Sequence, residues 1–246
     1  MRRVLSVQVL LFVLALSASA DIPNRTRVPV LEGISLHDRG AASGTCSIVY
    51  YNLCSRWLWV WSGWEPGDEV GVVFDLPADC GALPNEVCTN TEFWWYWRYT
   101  TPGWGYTITF NLYRVDEEGC KVGASLATIP RYDPSGTHYP GPLVFPEVVN
   151  LTGRVAITAM WDKGTLPYLA TDNNAKNLAA PLLCPGYSPS PAHSFSCGGM
   201  GAPYCPPLPF EDAHGPVQIL MEASFECRPV IGTAESSWSA VKTLFR

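Results

Sequence analysis

The chain has 246 residues, with 21 Gly, 22 Pro, 9 Cys and 10 Trp; 47% of it is hydrophobic and only 15% charged. That balance excludes a disordered acidic segment, a collagen-like fibre and a long coiled coil. The formal charge of −6 speaks against nucleic-acid binding, because phosphate contacts need clustered Lys and Arg.

Arg2 and Arg3 open the chain with positive charge, and residues 4–16 form an apolar run broken only by Ser6 and Gln8. Ala18-Ser19-Ala20 then offers a small-x-small cleavage site before Asp21. These three parts predict a signal peptide over residues 1–20, cleaved after Ala20. The run is shorter than the roughly 20 apolar residues a membrane span needs, so no span is expected after cleavage. Without Arg2 and Arg3, 14 basic residues face 22 acidic ones, a charge of −8. The expected location is outside the cell or in its envelope, in the periplasm or on the outer surface.

Residues 21–45 are polar and irregular, with Pro23, Pro29, Gly33 and Gly40, and read as a leader. A β domain is expected over 46–228. Within 47–64, Trp57, Trp59 and Trp61 alternate with Leu58 and Val60, the pattern of a strand that is apolar on both faces. Glu65-Pro66-Gly67-Asp68 is a turn. Residues 70–76 form a short strand that Pro77 ends. In the strand over 91–100, Phe93, Trp95, Trp97 and Tyr99 share one face and Trp94, Tyr96 and Arg98 the other. Residues 106–115 alternate cleanly, Ile108, Phe110 and Leu112 against Thr109, Asn111 and Tyr113. Asp116 to Gly119 is a turn; 143–149 and 154–161 are further strands. The apolar run 217–227 fits a strand or a short helix. Residues 187–209, rich in Pro, Gly and Ser, read as a stapled surface loop. Residues 229–246 are a linker and tail, in which Trp238, Val241, Leu244 and Phe245 mark a short amphipathic helix. Helical periodicity is otherwise missing, so the fold class is all-β: an antiparallel, disulfide-stabilised sandwich of jelly-roll kind with a C-terminal amphipathic helix.

Export makes disulfides the default use of the cysteines. Three pairs are spaced by eight: 46/54, 80/88 and 197/205. The segments inside Cys80/Cys88 and Cys197/Cys205 carry turn residues, so both pairs are candidate bridges. The segment inside Cys46/Cys54 reads as a strand, and at about 3.3 Å per residue its ends stand too far apart. Unless Asn52 turns the chain, those two cysteines are expected to bond elsewhere, with Cys120, Cys184 and Cys227 as candidates. Nine is odd, so one thiol is free or intermolecular. No Cys-x-x-Cys supports zinc.

Residues 70–174 resemble secreted bacterial β-sandwich modules of the galactose-binding-like or jelly-roll kind. The likeness lies in Val70-Gly71-Val72-Val73-Phe74-Asp75 as an opening strand, in 106–115 followed by Asp116 to Gly119 and 123–127 as a central strand and loop, and in 154–161 with Tyr168-Leu169-Ala170-Thr171-Asp172 as a late strand pair. The resemblance implies the fold and a tendency to bind glycan, and it transfers no site residue. The tail, 235–246, is similar to short C-terminal tails of uncharacterised exported proteins of Gram-negative bacteria, in which a Trp, a Lys and a final aromatic-Arg pair close varied chains. That implies a sorting or assembly partner.

Eight of the 10 tryptophans lie between positions 57 and 104. Indole rings stack on the C–H faces of sugars and keep a polar N–H for the rim; the same rings also fill cores, and strands with aromatics on both faces commit one set inward. Trp64 and Trp104, beside glycines near turns, are the candidates for exposure. With Trp94 and Tyr96 they form the candidate ligand surface for glycan or another cell-surface component. No Gly-x-Ser-x-Gly occurs and the four histidines are scattered, so no catalytic residue is assigned and the chain reads as a non-enzymatic binding or surface module. The alternatives are a structural envelope protein whose tail mediates assembly, and a hydrolase whose carboxylates the sequence does not mark. No cofactor is called for, although Asp162 and Asp172-Asn173-Asn174 could supply oxygens to calcium.

Overall fold

Alternation of β-branched and aromatic residues builds the central strands, and cross-strand pairing orders the rest. The computed structural model describes residues 24–29, 45–51, 57–98, 106–134, 142–163, 168–172, 193–196, 205, 208–209 and 217–230. The signal segment, Cys54, Trp104, Cys184, Cys197 and the C-terminal tail lie outside them. The described strands are β1 (Asn24–Pro29), β2 (Thr45–Val49), β3 (Trp57–Ser62), β4 (Glu69–Asp75), β5 (Glu86–Trp95), β6 (Trp97–Arg98), β7 (Thr107–Val115), β8 (Lys121–Tyr132), β9 (Arg154–Lys163), β10 (Tyr168–Asp172), β11 (Ser194–Ser196), β12 (Leu208–Pro209) and β13 (Met221–Pro229), with one helical turn, α1 (Leu76–Cys80). They form a six-stranded sheet ordered β12-β11-β4-β9-β7-β8, a four-stranded sheet β1-β3-β10-β6 and a three-stranded sheet β2-β13-β5. All of these pairings are antiparallel. The two smaller sheets meet where Ile219 bridges Thr171 and Leu220 donates its N–H to the Ala170 carbonyl at 3.1 Å.

The inward faces carry the large aromatics. Trp61, Trp95, Trp161, Phe74, Phe93, Phe110 and Phe225 are wholly buried. Phe93 meets Phe110 at 5.2 Å, Trp95 meets Trp161 at 5.8 Å and Phe74 meets Phe225 at 5.6 Å. Tilted and edge-on contacts of this kind suit the aromatic quadrupole. They join the six-stranded sheet to the three-stranded one through a single apolar layer.

Several segments depart from the expectations above. The leader contains β1, paired along its length with β3. The signal over 47–64 divides into β2 and β3, which lie in different sheets. Pro77 does end β4, but it does so as the first turn of α1, where a missing N–H costs nothing; Asp75 caps that turn by accepting from Ala78 N–H at 3.1 Å. The run 143–149 is not a strand: Leu143 alone bridges Phe93, and Val148 is 85% exposed. Pro142 and Pro146 remove the N–H donors a ladder would need. By contrast β8, whose sequence holds Gly123 and Pro130, is a 12-residue strand at the sheet edge. Within the supposed surface loop 187–209, β11 pairs with β4 and buries Ser194 and Phe195. The undecided run 217–227 is strand.

The bridges Cys80–Cys88 and Cys197–Cys205 do not form as expected. Cys80 bonds Cys46, Cys88 bonds Cys227 and Cys205 bonds Cys120. The reason lies in register: Cys88 belongs to β5 and faces Cys227 directly across β13, while Cys80 ends α1 against β2. Cys46 does bond outside its eight-residue interval, but to Cys80 rather than to any of the three candidates.

Candidate functional site

In the three-stranded sheet, period-two alternation sends Ile48, Phe93, Trp95, Met221, Ala223 and Phe225 into the core. The same alternation sends Ser47, Val49, Glu92, Trp94, Glu222 and Ser224 to the opposite face. Glu222 is the centre of that face, directly between Val49 on β2 and Trp94 on β5. Tyr51 and Tyr96, just beyond the ends of their strands, close over it. Tyr51 donates its O–H to Glu222 Oε2 at 3.3 Å and Tyr96 donates to Oε1 at 3.4 Å. The two phenol rings meet edge-on at 6.1 Å. Tyr51, Tyr96, Leu58, Ala170 and Leu220 form a small apolar cluster of their own, and Trp94 packs on it while staying partly exposed. Farther along the face, the hydroxyls of Ser47 and Ser224 are 2.9 Å apart. Burial, and then the Glu222 carboxylate, push the Tyr51 phenol well above its ordinary range, so it remains a donor across physiological pH.

The sequence candidates divide accordingly. Trp94 and Tyr96 come together here. Trp64 does not: it is 3% exposed, stacks on Trp161 at 4.5 Å and donates its indole N–H to the Trp61 carbonyl at 3.0 Å. The glycine taken as a sign of exposure, Gly63 with φ 96, instead turns the chain after β3, and Trp64 then lies over β9. Trp104 lies outside the described residues. Tyr51 and Glu222 went unnoticed in the sequence. The available signal was the acid itself, a Glu set inside the apolar run 217–227.

Other polar groups serve structure. Asp172 is fully buried and accepts the Gln218 N–H at 2.7 Å, and Asp162 accepts the Thr109 hydroxyl at 2.8 Å, so both carboxylates envisaged for calcium already carry hydrogen bonds. On the outer face of the six-stranded sheet, Glu69 pairs with Lys121 at 2.5 Å and accepts from Thr158 at 2.5 Å, while Thr128 donates to Asn111 at 3.0 Å. Asp116, Glu118 and Cys120 bring possible ligand atoms within 4.8 Å of one another. There, however, Cys120 is bonded to Cys205, and Asp116 Oδ1 accepts the N–H groups of Glu118 and Cys120 as an ordinary turn.

Near α1, Tyr50 donates to Asp79 Oδ2 and stacks on His193 with centroids 3.5 Å apart. Burial lowers the His193 pKa, and Asp79 opposes that shift. Asp79 Oδ2 also accepts the Asp75 N–H at 2.8 Å, so this carboxylate fastens β2 and β4 to the helical turn.

Comparison of the chain with protein-family models, with curated proteins and with solved structures finds no match.

Proposed function

We propose that this chain is an exported, non-enzymatic binding module, a β-sandwich of jelly-roll kind, that contacts glycan through the outer face of its three-stranded sheet. The observation that carries the reading is Trp94: a partly exposed indole beside a carboxylate and two phenols, on the face opposite the core. An aromatic ring offers stacking area to the C–H face of a sugar, and a few fixed polar groups beside it orient the hydroxyls. Aromatic contacts between the inner sheet faces support the sandwich. Three disulfides among the described residues support an oxidising compartment. No helix among the described residues is long and apolar enough to cross a membrane.

The test is a glycan array probed with the purified chain, followed by calorimetric titration of any ligand found. Trp94→Ala should weaken binding by about tenfold or more, as loss of a stacking aromatic does at a binding hot spot, with circular dichroism unchanged. An array without binding, or full affinity in the folded Trp94→Ala variant, refutes the reading. Trp64→Ala serves as the contrast: it should lower stability through a core cavity.

A further inference from the structure

Between Leu143 and Leu151 the chain leaves the edge of β5 and returns to it. At one foot Leu143 and Phe93 exchange both backbone hydrogen bonds, each at 2.9 Å; at the other Leu151 and Cys88 do the same, at 2.7 and 2.9 Å. The feet are five residues apart on β5 and eight apart on the returning chain, so the excess arches away from the sheet. Both feet are buried, and so is Phe145, which stacks on Phe93 with centroids 5.0 Å apart. The Cys88–Cys227 bridge braces the second foot. Pro146 stiffens the span between them, since its own φ is fixed and it holds Phe145 in an extended conformation. Beyond these anchors Pro146, Glu147, Val148 and Asn150 are exposed. Val148 stands three residues from Phe145 and three from Leu151, and at 85% it is the most exposed large apolar side chain among the described residues.

We infer that this arch is an inhibitory, substrate-like loop for an endopeptidase whose primary pocket takes a small aliphatic side chain, with Val148 as the side chain that fills the pocket and Val148–Val149 as the scissile peptide. A protease cleft reads a peptide by one side chain inserted into a specificity pocket. The arch presents such a side chain at its outermost point, on backbone that is neither helix nor strand. Its bracing separates it from an ordinary substrate, because little conformational freedom is left to lose on binding. Hydrolysis adds one water across the Val148–Val149 bond, giving a carboxylate on Val148 and an amine on Val149. Neither end is released: the first is held by the Phe145 stack and the Leu143 foot, the second by the Leu151 foot two residues on. The amine stays beside the carboxyl carbon, and the bond re-forms with loss of the same water. The inference is independent of glycan binding, for Trp94 lies on the outer face of the sheet whereas Phe145 packs on Phe93, which faces the core.

The experiment assays the whole chain against elastase, trypsin and chymotrypsin, whose primary pockets take small aliphatic, basic and aromatic side chains. The expected result is competitive inhibition of elastase, about tenfold or more tighter than of the other two, the scale set by a side chain that fills a hot-spot pocket. Val148 is exposed, so substitutions there leave the fold intact, and circular dichroism checks this. Val148→Asp should lose the inhibition of elastase, and Val148→Lys should transfer it to trypsin. Lack of elastase inhibition by the unaltered chain overturns the inference, and so does inhibition that survives in Val148→Asp. Rapid cleavage between Val148 and Val149 without inhibition overturns it as well, since the arch is then an ordinary substrate.

Discussion

Tyr50 and Tyr51 are adjacent in sequence and point to opposite sides of the chain, each toward a carboxylate: Tyr50 to Asp79 and Tyr51 to Glu222. Both phenols are held far above their ordinary 10.0, first by burial and then by the carboxylate each one touches. His193, stacked on Tyr50, is displaced the other way, below 6.5, chiefly by burial. The sign of the pH dependence follows. Above pH 10 the unfolded chain loses phenol protons that the folded chain keeps, so stability present below that pH falls as pH rises. Below 6.5 the unfolded chain takes up a proton on His193 that the folded chain resists, so stability falls as pH drops from 6.5 toward the lowered value and then levels off. Melting temperatures measured across pH should show both limbs. Tyr51→Phe should flatten the alkaline limb, and His193→Phe should flatten the acid one. An unchanged alkaline slope in Tyr51→Phe contradicts the burial of that phenol against Glu222.

The same residues show what the sequence could reveal. Trp94 and Tyr96 were legible as one face of a strand because alternation is local. Their partners Glu222 and Tyr51 were not, since β13 and β2 reach that face only through pairing across more than a hundred positions. Trp64 was misread for the same reason: its glycine neighbour is local, and Trp161, which covers it, is not.

At the scale of elements, strands rich in β-branched and apolar residues, β4, β7 and β9, stand within two residues of where the pattern put them. Missed elements had weak local signals. β8 carries Gly, Ala, Ser and Pro and owes its extension to pairing with β7, and β11 is three residues of Ser and Phe recruited by β4. The false strand at 143–149 had apolar residues but lacked donors. One close approach holds β11 in place. Gly71 lies where an added Cβ would meet the Ile157 carbonyl oxygen at 2.7 Å, Thr158 Cγ2 at 2.8 Å and Phe195 Cζ at 3.0 Å. The first of these is backbone inside β9, which cannot retreat without breaking the β4–β9 ladder. Gly71→Ala should therefore destabilise the protein by about 1–3 kcal/mol, the usual cost of overpacking a filled site, read as a lower denaturant midpoint. Because Phe195 is one of the three atoms' owners, loss of β11 should accompany it, visible as faster amide exchange at Val73, whose N–H donates to the His193 carbonyl.

At the scale of the whole molecule, the all-β antiparallel architecture followed from composition and period, whereas the cross-links depended on which strands are neighbours in space. Cys88–Cys227 closes a separation of 139 residues, Cys120–Cys205 one of 85 and Cys46–Cys80 one of 34. A cross-link removes more entropy from the unfolded chain as the loop lengthens: the chain-entropy relation gives about 5 kcal/mol for the longest of these and about 4 kcal/mol for the shortest. Accessibility is distributed differently: Cys205 is exposed, Cys46, Cys80 and Cys227 are partly exposed, and Cys88 and Cys120 are buried. Cys88 is 1% exposed, within β5 and paired to Cys227 of β13, while Cys46 and Cys80 are both partly exposed, Cys80 at the end of α1. Thiol–disulfide exchange requires the attacking thiolate to reach sulfur. Graded reduction under native conditions, followed by alkylation and peptide mass spectrometry, should thus label Cys120–Cys205, through exposed Cys205, and Cys46–Cys80 before Cys88 and Cys227, the latter together with global unfolding. Paired Cys88→Ala and Cys227→Ala substitutions should lower the melting temperature more than paired Cys46→Ala and Cys80→Ala substitutions. Early labelling of Cys88 in a protein that still melts cooperatively would contradict the placement of that bridge inside the sheet, and with it the register that sets Glu222 beside Trp94.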